Sequence, residues 1–138
     1  MLLTEENIES VIPQRNPFVM VSDLIEATPL KFESEFFVRA ENIFVKNGIL
    51  QEAALIENIA QTCAAGFGFL NKQAGIKPSV GFIGAITKLK VHHLPPVNSQ
   101  IKTTAIVAHQ LENVYLIKGQ NFLDGKILLE CELKIVVT

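Results

Sequence analysis

The sequence predicts an α+β protein in which one long helix lies against a curved antiparallel sheet of five or six strands. Three observations carry this. From Leu50 to about Asn71 there is no proline, and Ala53, Leu55, Ile56, Ile59, Ala60, Cys63, Ala64 and Phe67 cover more than one narrow stripe, as in a helix contacted on several sides. The segments 79–93, 99–111, 114–123 and 126–137 are strand-like, with Ile101, Thr103, Ala105 and Val107 alternating against Lys102, Thr104 and Ile106. A helix this apolar needs cover, and a sheet curved around it buries it best.

The elements follow in chain order. Thr4 is placed to cap a short helix over residues 5–12, with Glu5 and Glu6 near its positive end. Pro13 and Pro17 punctuate the next stretch, and residues 18–27 read as a strand. In residues 31–40, Phe32, Ser34, Phe36 and Val38 alternate with Glu33, Glu35 and Phe37, as in a strand with one buried face. Residues 41–49 read as a loop hinged at Gly48, and Asp124-Gly125 as a hairpin turn. With 138 residues, 49% of them hydrophobic, and no repeat or linker-like tract, one domain spanning residues 1–138 is expected.

Charge and targeting narrow the function. Twelve basic against fourteen acidic residues give a net charge of −2 with no basic cluster, which disfavours nucleic acid and anionic membranes as partners. The N-terminal "MLLTEENIES" lacks a signal-peptide pattern, and no segment reads as a membrane span. Cys63 and Cys131 lack metal or redox spacing and read as reduced, buried residues of a cytoplasmic protein.

Glu57 is the residue that asks for a reason. It sits among apolar neighbours on the long helix, and Gln61, four residues on, shares its face. Burial strips water from a carboxylate and favours its protonated form, which suits it to exchange a proton near neutral pH. Paired, solvent-facing and interfacial acids produce the same pattern.

Three stretches, in order, resemble the beta-hydroxyacyl-acyl carrier protein dehydratases. "IPQRNPFVMVSDLIE" is similar to the family's Leu-Pro-His-Arg-x-Pro-Phe opening. "LIENIAQTCAAG" resembles its Glu-x-x-Ala-Gln helix, with Glu57, Ala60 and Gln61 on the matching positions. "GAITKLKVHHLPPVNSQI" follows its Gly-Ile-x-Lys-x-x-Phe strand and proline turn. The resemblance implies a hotdog fold, no cofactor, and a site for an acyl thioester on acyl carrier protein or CoA between two subunits, in fatty acid or polyketide-type synthesis. It also implies a division of labour: a loop histidine of one subunit takes the proton alpha to the thioester, and a helix acid of the other protonates the departing hydroxyl. Glu57 matches the acid.

The histidine has no counterpart. Where the family has His-Phe-Pro-Gly, this chain reads "AENIFVKNGILQEAA", with Asn42 or Ile43 at the histidine's place, and no histidine precedes His92. Asparagine is not a base at neutral pH. His92 and His93, beside "LPPV", are expected at the pocket mouth or a carrier surface, and His109 in an outer strand. Three such histidines give no metal site. Phe67, Phe69 and Phe82 read as core packing or as the lining of an acyl tunnel, and Gly81 and Gly84 mark close approach of another backbone or a ligand, while Gln14 is expected to shape a turn and Arg15 to tie that turn to the sheet through a salt bridge. The candidate site is therefore Glu57 with Asn42 near the missing base, and Gln61, Phe67, Phe82, Gly84 and His92 as substrate contacts.

Three functions remain open. The first is a 3-hydroxyacyl-thioester dehydratase, with a homodimer as the expected minimal assembly and a heterodimer with a histidine-bearing hotdog protein as its variation. The second is a subunit that binds the thioester without turning it over. The third is a thioesterase in which Glu57 activates water.

Overall fold

The computed structural model describes residues 1–138. Six strands form one antiparallel sheet: β1 (Asp23–Thr28), β2 (Lys31–Phe37), β5 (Gly81–Val91), β6 (Gln100–Leu111), β7 (Val114–Leu123) and β8 (Lys126–Val137). They lie in the order β1-β2-β6-β7-β8-β5. A small hairpin, β3 (Val45–Lys46) with β4 (Ile49–Leu50), leads into the single α-helix, α1 (Glu52–Gln73).

Alternation in β2 and β6 sets the register between them. Phe32 faces Ala105, Ser34 faces Thr103 and Phe36 faces Ile101, all six buried. Below them α1 contributes Leu55, Ile59 and Cys63 to a core shared with Ile117, Leu129 and Leu133. Gly119 and Gly66 permit the close approach: a Cβ at the first would overlap the Ile59 side chain, and one at the second the Phe32 ring. A second cluster, Ile8, Ile12, Val21, Leu24 and Ala65, packs the N-terminal segment on another side of α1. The broad apolar surface of α1 is thus divided between the sheet and this segment. By length and composition α1 could cross a membrane; here half of its most apolar stretch is buried within the fold.

A polar network pins the helix to the sheet. Asn58 Oδ1 accepts from Asn121 Nδ2 at 2.9 Å and from the Thr103 hydroxyl. The Thr62 hydroxyl donates to the Asn58 carbonyl and meets that of Ser34, both at 2.7 Å. All five residues are buried, so a sliding helix would leave their polar groups unpaired.

Several local expectations change. Residues 5–12 form turns and a three-residue 3₁₀ helix, Ile8–Ser10, too short for an α-helix to propagate before Pro13. Its entry is held by the Asn7 side chain, which accepts the Thr4 N–H at 2.9 Å, rather than by Thr4 as a cap. The strand expected from residue 18 starts at Asp23, because the Met20 N–H donates to Gln61 while the Met20 and Phe18 carbonyls accept from Asn58 and Gln61, so that helix side chains take the place of a neighbouring strand. The strand over 31–40 ends at Phe37. Gly48 is a hairpin turn rather than a hinge, since Asn47 and Gly48 both have positive φ, 53° and 75°.

The two sheet edges differ. Beside β1, Leu3 exchanges backbone hydrogen bonds with Leu24 and covers part of that edge. The β5 edge is bare and displays Phe82, Ile83, Ile86, Leu89 and Val91.

Candidate active site

Glu57 lies one turn before Gln61 on α1, on the flank where the N-terminal segment crosses the helix. The fully buried Gln61 amide has a fixed orientation: its Oε1 accepts the Met20 N–H at 2.7 Å, so its Nε2 must point the other way. Nε2 donates to the Phe18 carbonyl at 2.8 Å and to Glu57 Oε1 at 2.9 Å. One carboxylate oxygen of Glu57 is therefore held by a neutral donor, and Oε2 has no hydrogen-bond partner within the chain. Asn58 strengthens the same seam by donating to the Met20 carbonyl at 2.7 Å.

The carboxylate borders a cavity of about 270 Å³. Its walls are Ala60, Cys63, Ala64 and Phe67 of α1, Val11, Pro13 and Gln14 of the N-terminal segment, Gly81, Phe82 and Ile83 of β5, and Ile135 and Val137 of β8, with Ser79. This is a largely apolar slot with a carboxylate and an amide at its wall, the composition expected of a small-molecule site. Phe67 is fixed by edge contact with Phe32, at 4.9 Å between ring centres, and by Tyr115 at 4.8 Å. Burial pushes the Cys63 thiol far up, so it stays protonated and lines the slot as a small apolar group. Cys131, on β8, is likewise raised to about 11 by burial.

Two larger cavities lack this character. One of about 570 Å³ is bordered by Glu5, Glu6, Glu9, Glu41 and Arg39, with Arg39 bound to Glu5 at 2.6 Å. The other, of about 590 Å³, lies over Glu33, Glu35 and Lys102 on the outer sheet. Carboxylate-lined surfaces do not suit an acyl chain.

Of the residues singled out from sequence, Glu57, Phe67 and Phe82 meet in the slot, with Gln61 behind Glu57. Asn42 borders the acidic cavity instead, and both ends of its amide are engaged: Oδ1 accepts the Phe44 N–H at 2.8 Å and Nδ2 points to Met20 Sδ at 3.4 Å. It is a turn former. Gly84 lies farther along β5, outside the slot lining. His92 is exposed at the end of β5, with Nε2 3.1 Å from Glu130 Oε2. No histidine borders the slot, and no three His, Cys, Asp or Glu residues are grouped to hold a metal ion. Gln14 and Cys63 were not singled out as site residues. Gln14 is marked in the sequence by standing where the Leu-Pro-His-Arg-x-Pro-Phe opening has its histidine, and Cys63 only by lying six residues beyond Glu57 on the helix.

A long helix cradled by a six-stranded antiparallel sheet, with an acid on the helix facing an apolar slot, defines a hotdog protein of the dehydratase-like kind. A family model described as ApeP-like, ApeP dehydratase, matches residues 6–137, and the chain belongs to that family. It is also similar to 3-hydroxyacyl-acyl-carrier-protein dehydratase FabZ of Campylobacter curvus, 23% identical over 143 residues and 94% of each chain. Among solved structures, the dehydratase heterocomplex ApeI:P from Xenorhabdus doucetiae contains a chain of the same fold, with a TM-score of 0.88 at 17% identity over 95% of this chain and 90% of that one. A thioesterase-like protein with coenzyme A from Streptococcus pneumoniae shares the fold more distantly, with a TM-score of 0.67 at 8% identity over 84% of each chain.

Proposed function

We propose that this chain supplies the acid half of a 3-hydroxyacyl-thioester dehydratase site, completed across the β5 edge by a hotdog subunit that carries the base. The observation that carries this reading is the slot itself: Glu57 is oriented and free at Oε2, while no basic side chain borders it. In the dehydration, the partner's base removes the proton alpha to the thioester carbonyl, and that electron pair forms the double bond. The bond to the 3-hydroxyl breaks as Glu57 Oε2 delivers a proton, and water leaves. General acid/base catalysis of this kind contributes roughly 10²–10⁴-fold.

Three features support a shared site. Phe82 and Ile83 both line the slot and stand exposed on the bare edge strand, so a subunit docked along β5 would border the same space. Asn42 is locked into its turn and cannot replace the base, which makes an assembly with a histidine-bearing subunit a better fit than two copies of this chain. A chain of the same fold comes from a dehydratase heterocomplex. The substrate is an acyl thioester on a carrier protein or CoA, of fatty acid or polyketide type, and a cytoplasmic setting goes with it.

The test is hydration of an enoyl thioester, followed by loss of conjugated absorbance, with this chain alone and mixed with a histidine-bearing hotdog dehydratase subunit. Turnover that requires both chains and disappears with Glu57→Gln supports the reading. The locked Asn42 also favours a second reading, in which the chain binds the thioester and stabilises its partner without turnover. Full activity of the mixture with Glu57→Gln would favour that one.

A further inference from the structure

We infer that Gln14 is a positioning residue of the slot, whose side-chain carbonyl accepts a hydrogen bond from the substrate's 3-hydroxyl and so turns that oxygen's lone pair toward Glu57. Gln14 Oε1 is fully removed from solvent yet has no hydrogen-bond partner within the chain. Gln14 lines the same 270 Å³ slot as Glu57. A buried amide carbonyl left unpaired costs about 1–3 kcal/mol, so a rotation of the terminal amide that brings Oε1 from its buried place to a donor in the slot is favoured once that donor is bound.

The side chain is not needed for the turn on which it sits. Arg15 closes that turn by donating from Nη1 to the backbone carbonyls of Ile12 and Gln14, at 2.8 and 2.7 Å, while its Nε pairs with Glu9. The expectation that Gln14 shapes the turn thus falls to its backbone and to Arg15. What remains for the amide is the slot. A hydroxyl has one hydrogen to donate and lone pairs to accept; given to Gln14, that hydrogen leaves a lone pair for the proton on Glu57 Oε2. As the hydroxyl becomes water it becomes a stronger donor, so the Gln14 contact tightens in the transition state.

This inference rests on the slot being the thioester site. The experiment measures binding of 3-hydroxyoctanoyl-pantetheine and octanoyl-pantetheine to the full chain, wild type and Gln14→Met. The expected result is a fivefold to tenfold loss of affinity for the hydroxyacyl ligand, with the octanoyl affinity unchanged. Comparing two ligands on one variant cancels any change in folded fraction. Equal losses for both ligands, or no loss for either, would overturn the role of Gln14 while leaving the slot as the thioester site. Failure of the wild type to bind either ligand, both alone and together with a histidine-bearing hotdog dehydratase subunit, would overturn both readings.

Discussion

Replacing Gln61 by Met keeps the length of the side chain and removes its polar amide. The Met20 N–H, on a fully buried residue, then loses its acceptor, which costs about 1–3 kcal/mol for an unpaired buried donor. Phe18 is exposed, so its carbonyl finds water and loses only about 0.5–1 kcal/mol. The bond to half-buried Glu57 adds a similar amount. The total is roughly 2–5 kcal/mol of stability, which with a mid-range urea dependence of about 2 kcal/mol per molar moves the unfolding midpoint down by about 1–2.5 M. Urea titration followed by far-ultraviolet circular dichroism reads this shift, and the slope is expected to hold. A midpoint change below about 0.3 M would refute the view that Gln61 is the rivet joining residues 18–20 to α1.

Other predictions follow from the same geometry. Gly66→Ala forces a Cβ into the Phe32 ring and is expected to cost about 1–3 kcal/mol in the same titration, because a packed aromatic ring has little room to yield. Ile86→Asp places a charge amid the bare β5 edge; sedimentation velocity of a mixture with a histidine-bearing hotdog dehydratase subunit should show less of the joint species than wild type does. The thiols give a pH dependence of definite sign: both are raised on folding, so the folded state holds their protons more tightly. Their contribution is complete below the ordinary thiol value of 9.0 and, for Cys131, is lost as pH rises toward about 11. Thermal melts should fall over that range for wild type, and fall less for the Cys63→Ala, Cys131→Ala double variant.

Helix and sheet were legible because their signals are local and repeated. Alternation in β2 and β6 and the long proline-free apolar run in α1 each state which face is buried. The last two strands fall at the expected residues, 114–123 and 126–137, because Asp124 and Gly125 close their turn with positive φ. Residues 18–21 misled for a physical reason: their apolar side chains read as strand, but the backbone groups of Phe18 and Met20 are taken by Asn58 and Gln61, over forty positions away at Gln61. The buried network of Asn58, Thr103 and Asn121 was equally hidden, since an asparagine in a sequence does not show which distant partner satisfies it. Glu57, Phe67 and Phe82, recognisable by type and order, fall together in one slot. His92 was not, because its place beside a proline turn says nothing of the Glu130 that it meets.

The central claim is that Glu57 acts as the acid in a site that another subunit completes. It is tested most directly by enoyl-thioester hydration in a mixture with a histidine-bearing hotdog dehydratase subunit whose own helix acid has been replaced. The account predicts that this crippled subunit and this chain are each inactive alone, that together they turn over, and that Glu57→Gln lowers the rate of the mixture by about 10²-fold or more. Turnover by this chain alone, or a mixture whose rate is indifferent to Glu57→Gln, would contradict it.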